Sequence, residues 1–450
     1  MMYKMNKRVA VLCLGAAMML MPAAAQAQTD ALRSGLEGLY RVADEHNATL
    51  QTMRSAVEEA KAGVTVAGKT RLPDVQAQLS VSYLGDAHLW NRHFGESTNA
   101  PMPHFGNNFF LQAQQAIYTG GAVTAGIQMA QQNERMQRLT ADAERLRVQF
   151  LLTGLYLQLH SLHNQQLVYE RNRQLAEQQI ALMRRRFEQG VALHSDITRY
   201  ELQLQQIELG MTSVVDQQSI VRKQLATALG TAAADSAAVA MLPESAFDDK
   251  AIQVGPEVEW QQLASTGHVG LQQGALGIDM SRTQEKLERS ALLPKIALIA
   301  EDHLDGPITI EVPTIDKNLN YWFVGVGVSY NFSALYKNRS KVRKARLATT
   351  LATDRLAEAR KGVSDGVHAA YVSYGTARTQ LATREKSLQL ASENYDVVSR
   401  RYQNGLAIVT DLTDAANMRL DAELQLANAR IALVYAYYNL RYVANCPNAQ

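Results

Sequence analysis

The chain has 450 residues, 47% of them hydrophobic, and a formal net charge of +2. That balance does not suggest a nucleic-acid binder, which usually carries a concentrated basic face. The length allows two or three ordinary domains, but the chain carries an internal repeat, which takes precedence over that count.

The first 27 residues read as a signal peptide. Lys4, Lys7 and Arg8 precede an apolar stretch from Val9 to Met21, and Ala25-Gln26-Ala27 is a small-x-small cleavage site. Cys13 lies inside the apolar stretch behind Leu12, which argues against a lipid anchor there. Cys446 is then the only cysteine of the mature chain, so no intrachain disulfide is expected. The mature sequence has no run of 18 apolar residues, so any membrane crossing falls to strands.

The first repeat spans 28–230. A proline-free helical run from about Ala31 to Thr70 ends at Leu72-Pro73. Val75, Ala77, Leu79, Val81 and Tyr83 then alternate with polar residues, as in a strand with one apolar face. A loop from Gly85 to Asn107 leads to a second strand from about Asn108 to Tyr118, closing a strand pair over 73–118. From 122 to 189 the chain reads as one helix, roughly 100 Å at 1.5 Å per residue. A turn at 190–195 and a helix over 196–229 complete the unit. Residues 231–256 read as an irregular connector.

The second repeat, 257–445, follows the same order: a helix to about Ala291, a strand pair over 294–332, a long helix over 334–403, a turn at 404–410 and a helix over 411–444. Residues 446–450 are a short tail. Trp322, Val324, Val326, Val328, Tyr330 and Phe332 form an apolar strand face with aromatics at both ends. That is the pattern of the two interfacial girdles of a membrane barrel. Leu381, Leu388, Tyr395 and Tyr402 fall seven apart, and Leu420, Leu424, Ala427, Ile431, Val434 and Tyr438 alternate four and three apart, as coiled-coil seams require.

The two turns share the pattern Arg-Arg-aromatic-x-x-Gly-x-Ala-x-x-[Ser/Thr]-Asp-x-Thr, from Arg185 to Thr198 and from Arg400 to Thr413. Gly190 and Gly405 are 215 positions apart, and Leu72 and Leu293 are 221 apart, which marks a duplicated unit. Each glycine lets the backbone leave its helix with positive φ. The Ser/Thr-Asp pair offers a cap and negative charge to the next helix.

Four amphipathic strands cannot stand alone in hydrocarbon, because an open sheet edge leaves backbone groups unpaired. Either several chains share one barrel or the strands lie outside a membrane. The doubled α-β-β-α unit, the Leu-Pro strand starts, the strand exit Tyr118-Thr119-Gly120-Gly121 and the paired tips resemble the outer-membrane factor family, the TolC-like channel tunnels. The resemblance covers nearly the whole mature chain. It implies a mixed α/β membrane protein of the Gram-negative outer membrane. Three chains would contribute four strands each to one twelve-stranded β-barrel, and long coiled-coil hairpins would form a periplasmic tunnel. It also implies a passive exit duct of a tripartite efflux pump or a type I secretion system, working with a periplasmic adaptor protein and an inner-membrane transporter. The alternative from another class is a soluble periplasmic coiled-coil scaffold without a pore.

Under that resemblance Asp411 and Asp414, three apart on one helical face, would present a ring of carboxylates around a threefold axis and favour cations. Tyr402 matches a tyrosine that holds such entrances closed, and Ser195 and Asp196 match its partners on the neighbouring hairpin. Ala407 stands where the best-known family pattern has an arginine, so the closing network differs here. Gly190, Val191 and Ala192, with Gly405, Leu406 and Ala407, match the tips on which the adaptor docks. Trp322, Tyr330 and Phe332 read as a lipid-facing girdle. Lys337, Arg339, Lys341, Arg343, Lys344 and Arg346 form a charge run that reads as a solvated face or as a collar near anionic headgroups. His88, His93 and His104 share a loop without metal-ligand spacing, and His160 and His163 read as surface positions of the long helix. Zincin, nucleophile-elbow and Walker A motifs are all missing, so neither catalysis nor a cofactor is expected.

Overall fold

The computed structural model describes residues 23–230, 254–311 and 314–445. The leader over residues 1–22, most of the 231–256 connector, both cysteines and the tail lie outside the described residues. In chain order the elements are α1 (Ala23–His46), α2 (Ala48–Lys69), β1 (Asp74–Tyr83), β2 (Ala87–Trp90), β3 (Ser97–Ala100), β4 (Phe105–Tyr118), α3 (Ala122–Glu188), α4 (His194–Leu229), α5 (Glu257–Gly267), α6 (Val269–Ser290), β5 (Lys295–Gly306), β6 (Leu319–Ser329), α7 (Ala334–Gln403) and α8 (Val409–Val443). Among the described residues no helix is long and apolar enough to cross a membrane.

The chain divides into two compact units, and one of them carries the sheet. Among the described residues it comprises His46–Val148, 257–311, 314–369 and 441–445. Its antiparallel strands run in the order β1-β4-β5-β6, so β1 and β6 are open edges. Directly paired residues share a face. The register therefore places Val75, Leu79 and Val81 of β1 on the same side as Phe109 and Leu111 of β4, Leu298 of β5, and Trp322, Val324, Val326 and Val328 of β6. The seven of these on the two edge strands are each more than 60% exposed. The other face carries Gln76, Gln78, Asn108, Gln112, Glu301, His303, Asp305, Gly325 and Gly327. There Gln112 donates to Glu301 at 2.7 Å, and the His303 ring stacks on Tyr321 with centroids 4.7 Å apart.

Four local features differ from the reading of the sequence. The helix expected over 31–70 breaks at Asn47, whose side chain accepts from the Leu50 N–H at 3.0 Å and caps α2. The helix expected over 257–291 breaks at His268, whose Nδ1 accepts from the Gly270 N–H at 3.1 Å. Asn47 and His268 are 221 positions apart, the same offset as the Leu-Pro strand starts, so the break belongs to the repeat. The loop expected over 85–107 contains the β2–β3 hairpin. Finally, β6 ends at Ser329, so Tyr330 and Phe332 follow the strand instead of ending it. Asn331 makes the stop: its Oδ1 accepts from the Ser333 N–H at 3.1 Å, and its carbonyl accepts from the Ala334 N–H. Tyr330 and Phe332 pack edge to face in that turn, with centroids 5.0 Å apart.

Among the described residues the other unit comprises 23–45, 149–230, 254–256 and Ala370–Leu440. It is helical throughout its described elements. Leu381 and Leu388 of α7 pack with Tyr374, Leu426 and Leu433. On α8 the expected seam buries Ala427, Ile431 and Val434. A second seven-spaced stripe, Leu426, Leu433 and Leu440, is buried as well, so α8 is covered on two sides. His160, expected at the surface, is fully buried with its ring edge-on to Tyr156 at 4.7 Å.

Candidate functional site: the paired helical tips

Both tips are built by the same backbone hydrogen bonds. At the first, the Gly190 N–H donates to the Phe187 carbonyl and the Val191 N–H to the Arg186 carbonyl, each at 2.9 Å. At the second, Gly405 donates to Tyr402 at 3.0 Å and Leu406 to Arg401 at 2.8 Å. These are paired Schellman closures. They require the left-handed backbone that Gly190 (φ 74°) and Gly405 (φ 70°) supply. Among the described residues nothing lies within 4 Å of a Cβ built at either glycine, so the requirement is conformational and not steric.

The aspartates sit one turn further on. The Asp196 carboxylate accepts from the Leu193 N–H at 3.1 Å, and Asp411 accepts from the Ile408 N–H at 3.3 Å. Leu193 and Ile408 immediately precede α4 and α8, so each aspartate is the third helical residue. This corrects the cap expected of Ser195 and Thr410, which lie inside the first turn. Each aspartate satisfies the N–H of its capping residue and adds negative charge at the positive end of the helix. Asp414 is exposed and accepts no hydrogen bond within the described chain. The first repeat has Arg199 at the matching position, 215 residues earlier, so the paired acids belong to the second tip only.

Behind the turns four helices converge. Ile180 and Met183 of α3, Ile197 and Tyr200 of α4, and Val409 and Leu412 of α8 are buried together, with Tyr395, Val398 and Tyr402 of α7 against them. The Tyr402 hydroxyl donates to Met183 Sδ at 3.1 Å, and the Arg186 guanidinium lies 5.4 Å from the Tyr402 ring centre. The Arg419 guanidinium covers Tyr395 at 4.5 Å. Tyr200 is 2% exposed, and its hydroxyl has no hydrogen-bond partner among the described residues. Burial raises its pKa, with further upward pushes from Tyr402, Tyr395 and Asp196 and an opposing one from Arg186. A cavity of about 30 Å³ beside Tyr200 is lined also by Asn172, Gln203 and Arg419.

Within one chain the structure makes no hydrogen bond from Tyr402 to Ser195 or Asp196. The residues that sequence reasoning missed are Tyr200, Met183, Arg186 and Arg419. Their contacts join α3, α4, α7 and α8, helices far apart in the chain. On the outer side of the tips Val191 and Leu193, and Leu406 and Ile408, are exposed. Among the described residues no group of three or more His, Cys, Asp or Glu side chains is placed to hold a metal ion.

Comparison with known proteins gives a consistent result. The family model for outer membrane efflux protein matches residues 39–231 and 260–445. The chain is 24% identical over 196 residues to the outer membrane protein TolC of Salmonella enteritidis; that match spans 42% of this chain and 39% of TolC. In fold it is similar to the outer-membrane channel OprN, with a TM-score of 0.76 at 16% identity over 93% of this chain and 91% of that one. It is also similar to VceC of Vibrio cholerae, with a TM-score of 0.72 at 15% identity over 91% of this chain and 96% of that one. The chain belongs to the outer membrane efflux protein family, TolC-like channels that reside in the outer membrane with a large periplasmic portion.

Proposed function

We propose that three copies of the chain close one barrel by pairing the β1 edge of each with the β6 edge of the next. The observation that carries this is the open four-stranded sheet with an exposed apolar face. In lipid both edges need partners. Eight strands would leave an interior that side chains fill, whereas twelve leave room for an aqueous path lined by the polar face. The result is a passive exit duct. An inner-membrane transporter, of an efflux pump or a type I secretion system, supplies the energy.

The periplasmic entrance lies at the tips. Asp411 and Asp414 supply the cation-favouring ring, and Tyr402 contributes to closure with Ser195 and Asp196 of a neighbouring hairpin. Gly190, Val191, Ala192, Gly405, Leu406 and Ala407 receive a periplasmic adaptor, a role supported by the exposed Val191 and Leu406 side chains. Trp322, Tyr330 and Phe332 hold the barrel at the membrane interfaces.

Single-channel recording tests this reading. Wild type should insert into a planar bilayer and give small, cation-selective steps, and native mass should be three chains. Asp411→Asn/Asp414→Asn should enlarge the steps or reduce selectivity. Folded protein that neither inserts nor conducts would restore the poreless scaffold.

A further inference from the structure

The two long helices begin differently. Over its first thirteen residues, Ala334 to Arg346, α7 carries Lys337, Arg339, Lys341, Arg343, Lys344 and Arg346 and no acid. The first thirteen residues of α3, Ala122 to Glu134, carry no cation. All six side chains on α7 are exposed, and among the described residues only Arg346 has an ionic partner, Glu285 at 3.6 Å. A helix start carries partial positive charge and favours acids within its first turn; that turn of α7 has no acid and carries Lys337, which opposes the dipole. Solubility does not account for it, because the repeat-related helix does without. An anion outside the chain would compensate both the cations and the helix end.

The position of the run identifies that anion. α7 begins five residues after β6 ends. In the proposed barrel, the exposed apolar face of β6, Trp322 to Val328, is the face that lipid covers. Phe332 and Tyr336, 74% and 68% exposed, stand at the junction, where aromatic side chains mark the headgroup level. Helical side chains lean toward the helix N-terminus. The lysine and arginine stems of α7 therefore tilt back toward the strand and the membrane. Lys337 lies about 5 Å and Lys344 about 15 Å along the axis from the helix start. Lys337, Arg339 and Lys341 are thus within about a Debye length of the surface, and longer reach comes from their flexible stems.

We propose that the start of α7 is a basic collar that binds the headgroups of anionic phospholipids in the periplasm-facing leaflet of the outer membrane. The inference goes beyond the duct reading, since it concerns how the chain is held in the bilayer and makes no use of the tips.

The test is lipid titration of the detergent-purified protein, read by native mass spectrometry, with phosphatidylglycerol against phosphatidylcholine. Wild type should prefer phosphatidylglycerol by about tenfold at low salt and lose most of that preference at high salt. Lys337→Gln/Arg339→Gln/Lys341→Gln should fall to within about twofold of no preference. Arg355→Gln/Arg360→Gln/Lys361→Gln removes as many exposed cations further along the same helix and should keep the wild-type preference. Equal losses in the two variants, or no salt-sensitive preference in wild type, would overturn the proposal. Full displacement of the lipid by millimolar inorganic phosphate would also overturn it, by showing a site for free phosphate. Conductance of the same preparations separates this result from the duct: a wild type that prefers the anionic lipid but forms no channel fails the duct and keeps the collar.

Discussion

The Tyr402 hydroxyl donates a hydrogen bond to Met183 Sδ at 3.1 Å and so ties the end of α7 to the end of α3 within one chain. A thioether is a weak acceptor. In the proposed three-chain assembly, Tyr402 can therefore exchange this partner for a stronger one on a neighbouring chain at little cost. Tyr402→Phe should leave the melting temperature nearly unchanged, by less than about 1 kcal/mol of stability. Channel open probability should rise if the hydroxyl also closes the entrance. Thermal melting and bilayer recording on one preparation read both effects.

Tyr200 gives the opposite test. Its hydroxyl is buried and has no partner among the described residues, so the desolvation of that group goes without a compensating bond there. Tyr200→Phe should be neutral or stabilising, by up to about 1 kcal/mol. A clear loss of stability would show that the hydroxyl is paired in solution, for example by water in the adjoining cavity.

Asp411 and Asp414 should separate by role. Asp411 caps Ile408, so Asp411→Ala should cost about 1 kcal/mol and speed proteolysis at the tip. Asp414→Ala should leave stability within about 0.5 kcal/mol of wild type, as for other exposed surface positions. Both should reduce cation selectivity in the reversal potential under a salt gradient. Selectivity that depends on Asp411 alone would mean that the second carboxylate lies off the conduction path.

Gly405→Ala should destabilise the second tip by about 1 kcal/mol or more, because φ is positive while no neighbour obstructs a Cβ. Gly405→Asn should cost less, since asparagine tolerates the left-handed region. Limited proteolysis between residues 400 and 412 reports the difference.

His160 links stability to pH. Burial, with a smaller push from His163, lowers its pKa from 6.5 to about 4. Between those values the unfolded chain binds a proton that the folded chain refuses, so stability falls as pH falls through that window and is level above it. The full effect below pH 4 is about 3 kcal/mol. His160→Gln should show a shallower fall in melting temperature between pH 7 and 4.5; an unchanged slope would exclude His160 as the cause.

The repeat, the strands and the tips were legible because each depends on local rules. Alternation at Val75 to Tyr83 and the missing prolines of the long helices need no knowledge of partners. Asn47 and His268 were hidden because apolar periodicity runs through both breaks, and only a side chain turned back on the backbone reveals them. The end of β6 was misplaced because alternation continues through Tyr330 and Phe332 into a turn made by Asn331. The buried cluster at the tips was out of reach for another reason. Tyr200, Met183 and Tyr402 meet only once three helices pack, and no spacing within a single helix encodes that meeting.

The open edges of β1 and β6 have a genetic consequence. In the proposed barrel of three chains, each chain borrows both neighbours to finish its sheet, so every assembly is exposed to its weakest member. If defective and wild-type chains are made in equal amounts and mix freely in threes, only about one assembly in eight is wholly wild type. An allele that folds but cannot pair an edge, such as a proline placed in mid-β6, should therefore act dominantly, whereas an allele that never folds should be recessive.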